Sequence, residues 1–347
     1  MRVSDASASG TAGPSALGPL ASCWHPVAFA ADVAVEPVAV TLLGEPVVVW
    51  RDSAGVARAM TDVCIHRGTA LSLGRVSGDE IVCPYHGWRY DGTGRCRLIP
   101  QLEQPDRVPQ KACVTTFGCT ERHGLIWVAL EPPRWDLPDV PELAPEASGS
   151  WRAVPCGPYD WEADASRQLE NFTDFGHFPW VHPGLLGDPE RPVVPDYSVR
   201  TAGHVLSYDI VRPEAANSEE FPIFANEERE RPTRRSHYEV HLPYTLLLRL
   251  GWGGESAMVY FFASQPVDAD HCRGWLFVAR NYDLEADDDT IRRFEDVIFE
   301  QDRRIVESQR PERVPFDITA EIHLKFDAVA VAYRRAMSAV GLASPAP

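Results

Sequence analysis

The chain has 347 residues, of which 44% are hydrophobic, and its formal net charge is −17. This length and composition predict a globular protein with one large domain or two smaller ones. The strong negative charge argues against nucleic acid and anionic membrane surfaces as partners, because both are polyanions.

The first segments of the chain predict a tail followed by a small β domain. Residues 1–20 are rich in Ala, Ser and Gly, lack the pattern of a secretory signal, and are expected to form a flexible tail. Across 21–150, short β-branched and aromatic runs alternate with Gly, Pro and Asp, which predicts an antiparallel β domain. Near its end, 131–146 is acidic and Pro-rich, which is typical of a linker or an extended crossover.

The remaining residues, 151–347, predict a second domain that contains a sheet and helices. Helices are expected at 164–182, 287–309 and 326–341, and a polar loop at 212–234. Strands are expected at 203–212, 236–250, 257–265 and 273–281. The predicted fold class is therefore α+β. Since no run of 18 apolar residues occurs, we expect a cytoplasmic protein without a membrane span.

Two short clusters in the β domain each combine a cysteine with a histidine. Cys64 stands two residues before His66, and Cys83 stands three residues before His86. A thiolate and an imidazole at such spacings can face one metal from a tight loop, so the four side chains predict a closed metal site. Without a secretory signal, the eight cysteines are expected to be reduced.

The order of these four residues separates two kinds of metal. Structural zinc uses the same residue types, but its two cysteines usually stand together, as do its two histidines. Here each loop brings one of each, which favours a two-iron cluster with both thiolates on one iron and both imidazoles on the other. The stretch 64–88, CIHRGTALSLGRVSGDEIVCPYHGW, resembles the Rieske [2Fe-2S] fingerprint, with turns at Gly68, Gly74 and Gly87.

A second set of ligand-type residues lies in 169–188, LENFTDFGHFPWVHPGLLGD. His177 and His182 are five residues apart, which places them about 140° apart on a regular helix. Their imidazoles can converge on one metal only where the helix ends or distorts, and Pro179 and Pro183 favour such a break. Without further context, ordinary core packing is the expectation for two histidines in such an aromatic-rich segment.

Asp302 provides a carboxylate for the same site. It lies four residues after Ile298 and four before Val306, on the apolar stripe of its predicted helix. A buried carboxylate requires a metal or a cationic partner, so the alternative is an ion pair with Arg249 or Arg280. Two histidines and one carboxylate are the facial triad of mononuclear iron(II) oxygenases.

From about residue 24 onward, the chain resembles the α subunit of a Rieske non-heme iron oxygenase. Besides the Rieske fingerprint, the resemblance rests on NFTDFGHFPWVH and FEQDRRIVESQRPERVP. It implies a Rieske domain followed by a catalytic domain of helix-grip type, in which helices flank an antiparallel sheet. The implied ligands are Cys64, His66, Cys83 and His86 for the [2Fe-2S] cluster, and His177, His182 and Asp302 for a mononuclear Fe(II).

The resemblance also implies roles for two neighbouring residues. Asp174 is expected to bridge the Rieske histidine His86 of one subunit and the iron ligand His177 of the next. A homotrimer is then a functional requirement, because the two metal centres of one chain are too far apart. Asn171 matches an asparagine close to the iron. The ordinary alternative for Asp174 is a carboxylate on a helix surface.

The implied reaction is the mono-oxygenation of a small molecule with O2 and with electrons from NAD(P)H. A separate reductase, with or without a ferredoxin, would deliver these electrons. The chain is most similar to the homotrimeric demethylases of small aromatic or heterocyclic compounds, and hydroxylation is an equal expectation. The substrate cavity is expected between sheet residues 203–280 and Phe175, Phe178 and Trp180. The alternative is a Rieske electron-transfer or binding protein without oxygenase activity.

Overall fold

The computed structural model of the chain describes residues 18–213, 233–252 and 254–343. The predicted tail lies outside the described residues as far as residue 17. A short 3-10 helix, Pro19–Ser22, follows and buries Leu20. The predicted loop 212–234 lies outside the described residues from 214 to 232. Within the described residues, no helix has the length and apolar character needed to cross a membrane.

Ten strands form two antiparallel sheets in the N-terminal part. The strands are β1 (His25–Phe29), β2 (Val38–Leu42), β3 (Glu45–Arg51), β4 (Ala57–Thr61), β5 (Arg75–Ser77), β6 (Glu80–Val82), β7 (Arg89–Asp91), β8 (Cys96–Leu98), β9 (Thr116–Arg122) and β10 (Leu125–Ala129). The larger sheet has the order β1-β10-β9-β4-β3-β2, and the smaller sheet has the order β5-β6-β7-β8. This arrangement agrees with the predicted antiparallel β domain.

Strand β3 contributes to two separate cores, because successive side chains of a strand point to opposite faces. Val47 and Val49 pack into the core of the larger sheet. Val48 packs on the other face, in a core that also contains Cys64 and Cys83. The second core therefore fixes the two loops that carry the cysteine and histidine pairs.

The described residues of the C-terminal part form a seven-stranded antiparallel sheet and four α-helices. Its strands are β11 (Arg152–Trp161), β12 (Arg200–Ala202), β13 (Val205–Pro213), β14 (Thr233–His241), β15 (Thr245–Gly251), β16 (Ala257–Pro266) and β17 (Cys272–Arg280). Its helices are α1 (Ala165–Thr173), α2 (Phe178–Val181), α3 (Asp288–Val306) and α4 (Ala328–Ala339). The strand order is β11-β17-β16-β15-β14-β13-β12, and the predicted α+β class is confirmed.

Both faces of this sheet are buried, which explains why its central strands are almost continuously apolar. Along β16, Tyr260 and Phe262 belong to the core shared with the helices. Phe261 and Ala263 belong to a core on the opposite face, together with Trp127 of β10. The sheet therefore separates the helices from the N-terminal part. The Pro-rich segment 131–146 forms two 3-10 turns, and Val140 beside them is buried in the second core.

A buried ion network fixes α1, which leads into the second candidate metal site. Arg334 of α4 has 1% of its side chain exposed and pairs with Glu170 of α1 and with Glu321. Arg167, one turn before Glu170 on α1, pairs with the same two carboxylates. Because each buried charge has a partner of opposite sign, the network holds α1 and α4 together.

Two predicted elements differ from the structure. The helix expected at 164–182 ends at Thr173, and only the single turn α2 follows the break. The strand run expected at 236–250 is a hairpin, β14 and β15, because the chain turns at 242–244. Helix α3 covers most of 287–309, but its Ile305 is 50% exposed and does not belong to the core.

Candidate metal centres and substrate cavity

Two loops of the N-terminal part share one backbone shape. In each loop a glycine amide donates a hydrogen bond to the carbonyl of the cysteine four residues earlier, Gly68 to Cys64 and Gly87 to Cys83. Both glycines have a φ of +72°, which side chains with a Cβ rarely adopt. Gly74 has an ordinary φ, but a Cβ there would lie 2.0 Å from the Val82 carbonyl oxygen. Gly68 and Gly87 are thus required by their positive φ, and Gly74 by the close approach of the Val82 carbonyl.

The loops bring the four predicted cluster residues together. Cys64 and Cys83 are buried, whereas His66 and His86 are half-buried, with their Nδ1 atoms 3.2 Å apart. Burial raises the pKa of the Cys83 thiol, and the backbone amides of Tyr85 and His86 oppose this rise by donating hydrogen bonds. Two inner sulfurs and two outer imidazoles fit the asymmetric ligand set of a Rieske cluster.

Aromatic side chains support these residues from both sides. The Trp88 ring stacks on the His66 ring, with centroids 4.5 Å apart and planes 7° apart. The Tyr90 hydroxyl lies 3.2 Å from Cys64 Sγ. These contacts fix the orientation of one imidazole and one thiol.

The second site lies where helical structure breaks after α1. Asp174 caps the C-terminus of α1 in an extended conformation, and His177 and His182 flank the single turn α2. Pro179 occupies the first turn of α2, where its missing N–H is tolerated. The break rotates the two imidazoles toward each other, so the distortion predicted from their spacing is confirmed.

Asp302 of α3 meets these two imidazoles. Its Oδ1 atom lies 2.9 Å from His182 Nε2 and 3.4 Å from His177 Nε2. One ligand atom from each residue lies within 4.8 Å of the other two. All three atoms are buried and have no hydrogen-bond partner. Buried polar atoms normally have partners, so this arrangement fits a metal ion held by two nitrogens and one oxygen.

The opposite edges of the two imidazoles also fit metal binding. His177 Nδ1 donates to Asp174 Oδ2 at 3.0 Å, and His182 Nδ1 donates to Gln301 Oε1 at 2.7 Å. Protonation at Nδ1 leaves each Nε2 lone pair directed at the shared point. Burial lowers the pKa of His177, but the neighbouring carboxylates of Asp174 and Asp302 outweigh this effect and raise the pKa to about 9. The site therefore favours a positive charge.

The alternative of an ion pair between Asp302 and an arginine is wrong. Arg249 pairs with Glu142 and Glu239 on another part of the sheet. The Arg280 guanidinium pairs with Asp288 and with backbone carbonyls. The buried carboxylate thus has only the two histidines as ion-pair partners among the described residues.

Asp174 and Asn171 lie on different sides of this site. The Asp174 side chain is 39% exposed and borders a surface depression that also includes Ile322 and Phe326. Asn171 lies on α1 and lines both that depression and the internal cavity beside the histidines. Asp174 is therefore accessible from outside, as a bridge to another chain would require.

A cavity of about 70 Å³ borders the three converging residues. Most of its wall is aromatic or aliphatic, including Phe178, Leu248 and Phe299. Phe178 is therefore placed as predicted. Phe175 is buried but lies outside this wall, and Trp180 is 65% exposed, so the prediction that these two line the cavity is wrong.

Two residues of α3 in this region were missed by sequence reasoning. Gln301 orients His182, and its amide gave no signal in the sequence. Glu295 lines the cavity with only 3% of its surface exposed. It stands four residues after Ile291 and three before Ile298. Glu295 is therefore a charged residue on the apolar stripe of the helix, as Asp302 is.

Comparison with known proteins adds the family. The sequence model of the Rieske [2Fe-2S] domain matches residues 23–118. The model of the vanillate O-demethylase oxygenase C-terminal domain matches residues 161–343. The methylxanthine N1-demethylase NdmA of Pseudomonas putida is 35% identical over 323 residues, covering 90% of this chain and 86% of NdmA. The chain belongs to the Rieske oxygenases.

Solved structures support the same assignment. Pseudomonas putida CBB5 NdmA with caffeine matches with a TM-score of 0.80 and 34% identity, covering 91% of this chain and 89% of that chain. Dicamba monooxygenase bound to dicamba shares the fold, with a TM-score of 0.79 at 21% identity over 93% of this chain and 97% of that chain. This Rieske oxygenase is a monooxygenase that uses a [2Fe-2S] cluster, a mononuclear iron and electrons from NAD(P)H.

Replacing the amide that orients His182 should weaken metal binding. In Gln301→Leu the His182 Nδ1 proton has no acceptor, so we expect the dissociation constant for a divalent metal to rise about 10- to 100-fold. The measurement is a Co²⁺ titration of protein depleted of its mononuclear metal. Gln110→Leu makes the same change at an exposed position. Equal affinities in wild type and Gln301→Leu would contradict the orienting role.

Proposed function

We propose that this Rieske oxygenase mono-oxygenates a small aromatic or heterocyclic compound, by N- or O-demethylation or by hydroxylation. The main support for this proposal is that the mostly apolar cavity borders His177, His182 and Asp302, whose ligand atoms have no hydrogen-bond partner. A flat, uncharged ring buried in this wall would have its reacting carbon beside those atoms. NdmA and the N3-demethylase NdmB of Pseudomonas putida, which is 32% identical over 90% of this chain, are named for N-demethylation of methylxanthines.

The proposed ligand assignment follows the two clusters of side chains. The [2Fe-2S] cluster is held by Cys64, His66, Cys83 and His86, and the mononuclear iron by His177, His182 and Asp302. When bound, the iron supplies O2 activation with electrons that the cluster delivers.

The chain's own groups prepare this site for the reaction. Asp174 and Gln301 keep a proton on the Nδ1 atom of each imidazole and thereby fix the ring orientations. Phe178, Phe299 and the neighbouring aliphatic side chains exclude water from the cavity and position the substrate ring. Asn171 lines the cavity close to the iron ligands, where its amide can contact substrate or solvent.

We further propose a homotrimer in which electrons pass between chains. His86 is half-buried and Asp174 is partly exposed, so both ends of the proposed route reach the surface. Exposed apolar side chains lie close in sequence to the cluster ligands, such as Tyr85 at 64% exposure. Others border the depression around Asp174, such as Ile322 at 90%. Two different complementary patches on each chain generate a closed ring when the rotation between chains closes.

The proposed domain division is a tail at 1–20, a Rieske domain at 21–150 and a catalytic domain at 151–347. We place the protein in the cytoplasm, together with a separate NAD(P)H-dependent reductase. One sequence match bears on this partner. The oxidoreductase NdmD of Pseudomonas putida is 41% identical over 112 residues, which are 32% of this chain and 19% of NdmD.

The product distinguishes demethylation from hydroxylation. With a surrogate reductase, NADH and O2, we expect N- or O-methylated rings to yield formaldehyde in equal amounts to the demethylated ring, because the oxidised methyl carbon leaves the heteroatom. The measurement is formaldehyde release across a panel of methylated aromatics and heterocycles. Hydroxylated products without formaldehyde would indicate hydroxylation instead of demethylation. Reduction and reoxidation of the cluster without any oxygenated product would favour an electron-transfer protein.

Mixed trimers test electron transfer between chains. Cys83→Ser removes a proposed cluster ligand, and Asp302→Ala removes a proposed iron ligand, so each variant alone should be inactive. Trimers that contain both variants should recover product formation, because the cluster of one chain then lies beside the iron of another. A matched control mixes Cys83→Ser with His86→Ala, in which no chain has an intact cluster. Mixed trimers as inactive as their parents, with both variants folded, would contradict the bridging route.

A further inference from the structure

The cavity contains a buried acid that the proposed reaction does not use. Glu295 of α3 is 3% exposed, lines the cavity wall and lies seven residues before Asp302. Seven residues are almost two helical turns, so both carboxyl groups face the same side of α3 with Cα atoms about 10 Å apart along the axis. Asp302 belongs to the metal site, and Glu295 lines the same cavity almost two helical turns away along α3.

The Glu295 carboxyl has the Tyr260 hydroxyl as a hydrogen-bond partner, but one of its two oxygens has no partner among the described residues. Its Oε1 atom is buried and accepts no hydrogen bond. Burial is the largest effect on its pKa and raises it to about 8, with Asp296 and Asp302 adding to the rise and the Tyr260 hydroxyl opposing it. No cationic side chain among the described residues contributes to this shift. A buried carboxyl without a cationic partner destabilises a fold, so it is expected where a ligand completes the site.

A second unmatched atom lines the same cavity. Gln168 Oε1 accepts a hydrogen bond from the Ser264 hydroxyl at 2.6 Å, but the buried Nε2 atom donates to nothing. The cavity wall therefore includes the Glu295 Oε1 acceptor and the Gln168 Nε2 donor, neither of which has a partner among the described residues. A heterocycle with both an N–H group and a carbonyl oxygen has the complementary pair, whereas a plain hydrocarbon ring has neither.

We propose that Glu295 binds a hydrogen-bond-donating nitrogen of the substrate. The preferred substrates of this cavity then carry an N–H group or a protonated amine at the end opposite the reacting carbon. This inference rests on the proposed function and adds the substrate class to it. A methyl group in place of the N–H would leave the carboxyl unpaired inside the protein, which disfavours binding of the methylated analogue.

Matched ligand pairs test the inference by direct binding to the full-length protein with its metal centres. Theobromine carries one N–H that caffeine replaces with N–CH₃. Protonated N,N-dimethylbenzylamine carries an N⁺–H that isobutylbenzene replaces with C–H. In wild type we expect the donor member of at least one pair to bind ten-fold or more tightly than its partner in isothermal titration calorimetry. The first pair reports a neutral donor, and the second reports a cationic one.

Substitutions assign this preference to Glu295. Glu295→Gln keeps an acceptor oxygen, so it should retain part of a preference for the neutral N–H and lose any preference for the cation. Glu295→Leu should lose both preferences. Glu300→Gln makes the same chemical change at an exposed position of α3 and should bind like wild type. The melting temperature of Glu295→Leu should equal or exceed that of wild type, because the substitution removes the cost of burying a carboxyl group.

Several outcomes would overturn the inference. They are equal binding within both pairs, no binding of either donor compound, or a donor preference that persists in Glu295→Leu. A lower melting temperature of Glu295→Leu with unchanged preference would assign Glu295 to fold stability instead. Turnover of donor-free rings with reductase, NADH and O2 would then leave the proposed function intact. A donor preference with no oxygenated product from any bound ring would contradict the proposed function alone.

Discussion

The buried carboxylate of Asp302 is the constraint on which the catalytic part of the molecule depends. A carboxylate inside a protein requires a partner of opposite charge or a metal ion. The two imidazoles beside Asp302 direct their Nε2 atoms at it, and these atoms have no hydrogen-bond partner. A continuous helix would direct these two imidazoles away from each other. The helical structure is instead interrupted between α1 and α2. Metal binding, helix distortion and the placement of α3 are therefore parts of one arrangement.

The seven-stranded sheet lies between this candidate metal site and the N-terminal part of the chain, and both of its faces are buried. One face supports the helices and the cavity, and the other packs on the N-terminal sheets. The two metal centres consequently belong to rigid parts of one molecule, yet each has a side directed at the surface through His86 or Asp174. The proposed transfer between chains would use these two surface-directed sides.

Much of this could be predicted from the sequence, because ligand chemistry and helical periodicity leave strong local patterns. The order of cysteine and histidine in the first site, and the charge of Asp302 on an apolar stripe, indicated metal sites before any contact was known. The length of α1 and the hairpin of β14 and β15 could not be predicted, because short turns within apolar runs depend on tertiary packing. The same limit explains the errors at Phe175 and Trp180, since the side of a distorted segment that faces a cavity depends on the whole fold. Glu295 lies on the same apolar stripe of α3, so helical periodicity is sufficient to predict its burial.

The central claim is that the chain holds a Rieske cluster and a separate mononuclear iron at the two proposed ligand sets. Iron analysis combined with visible spectroscopy tests it most directly. We expect about three irons per chain and a red-brown colour in wild type, and about two irons with the same colour in Asp302→Ala. Three irons retained in Asp302→Ala, or zinc in a colourless wild-type protein, would contradict the account.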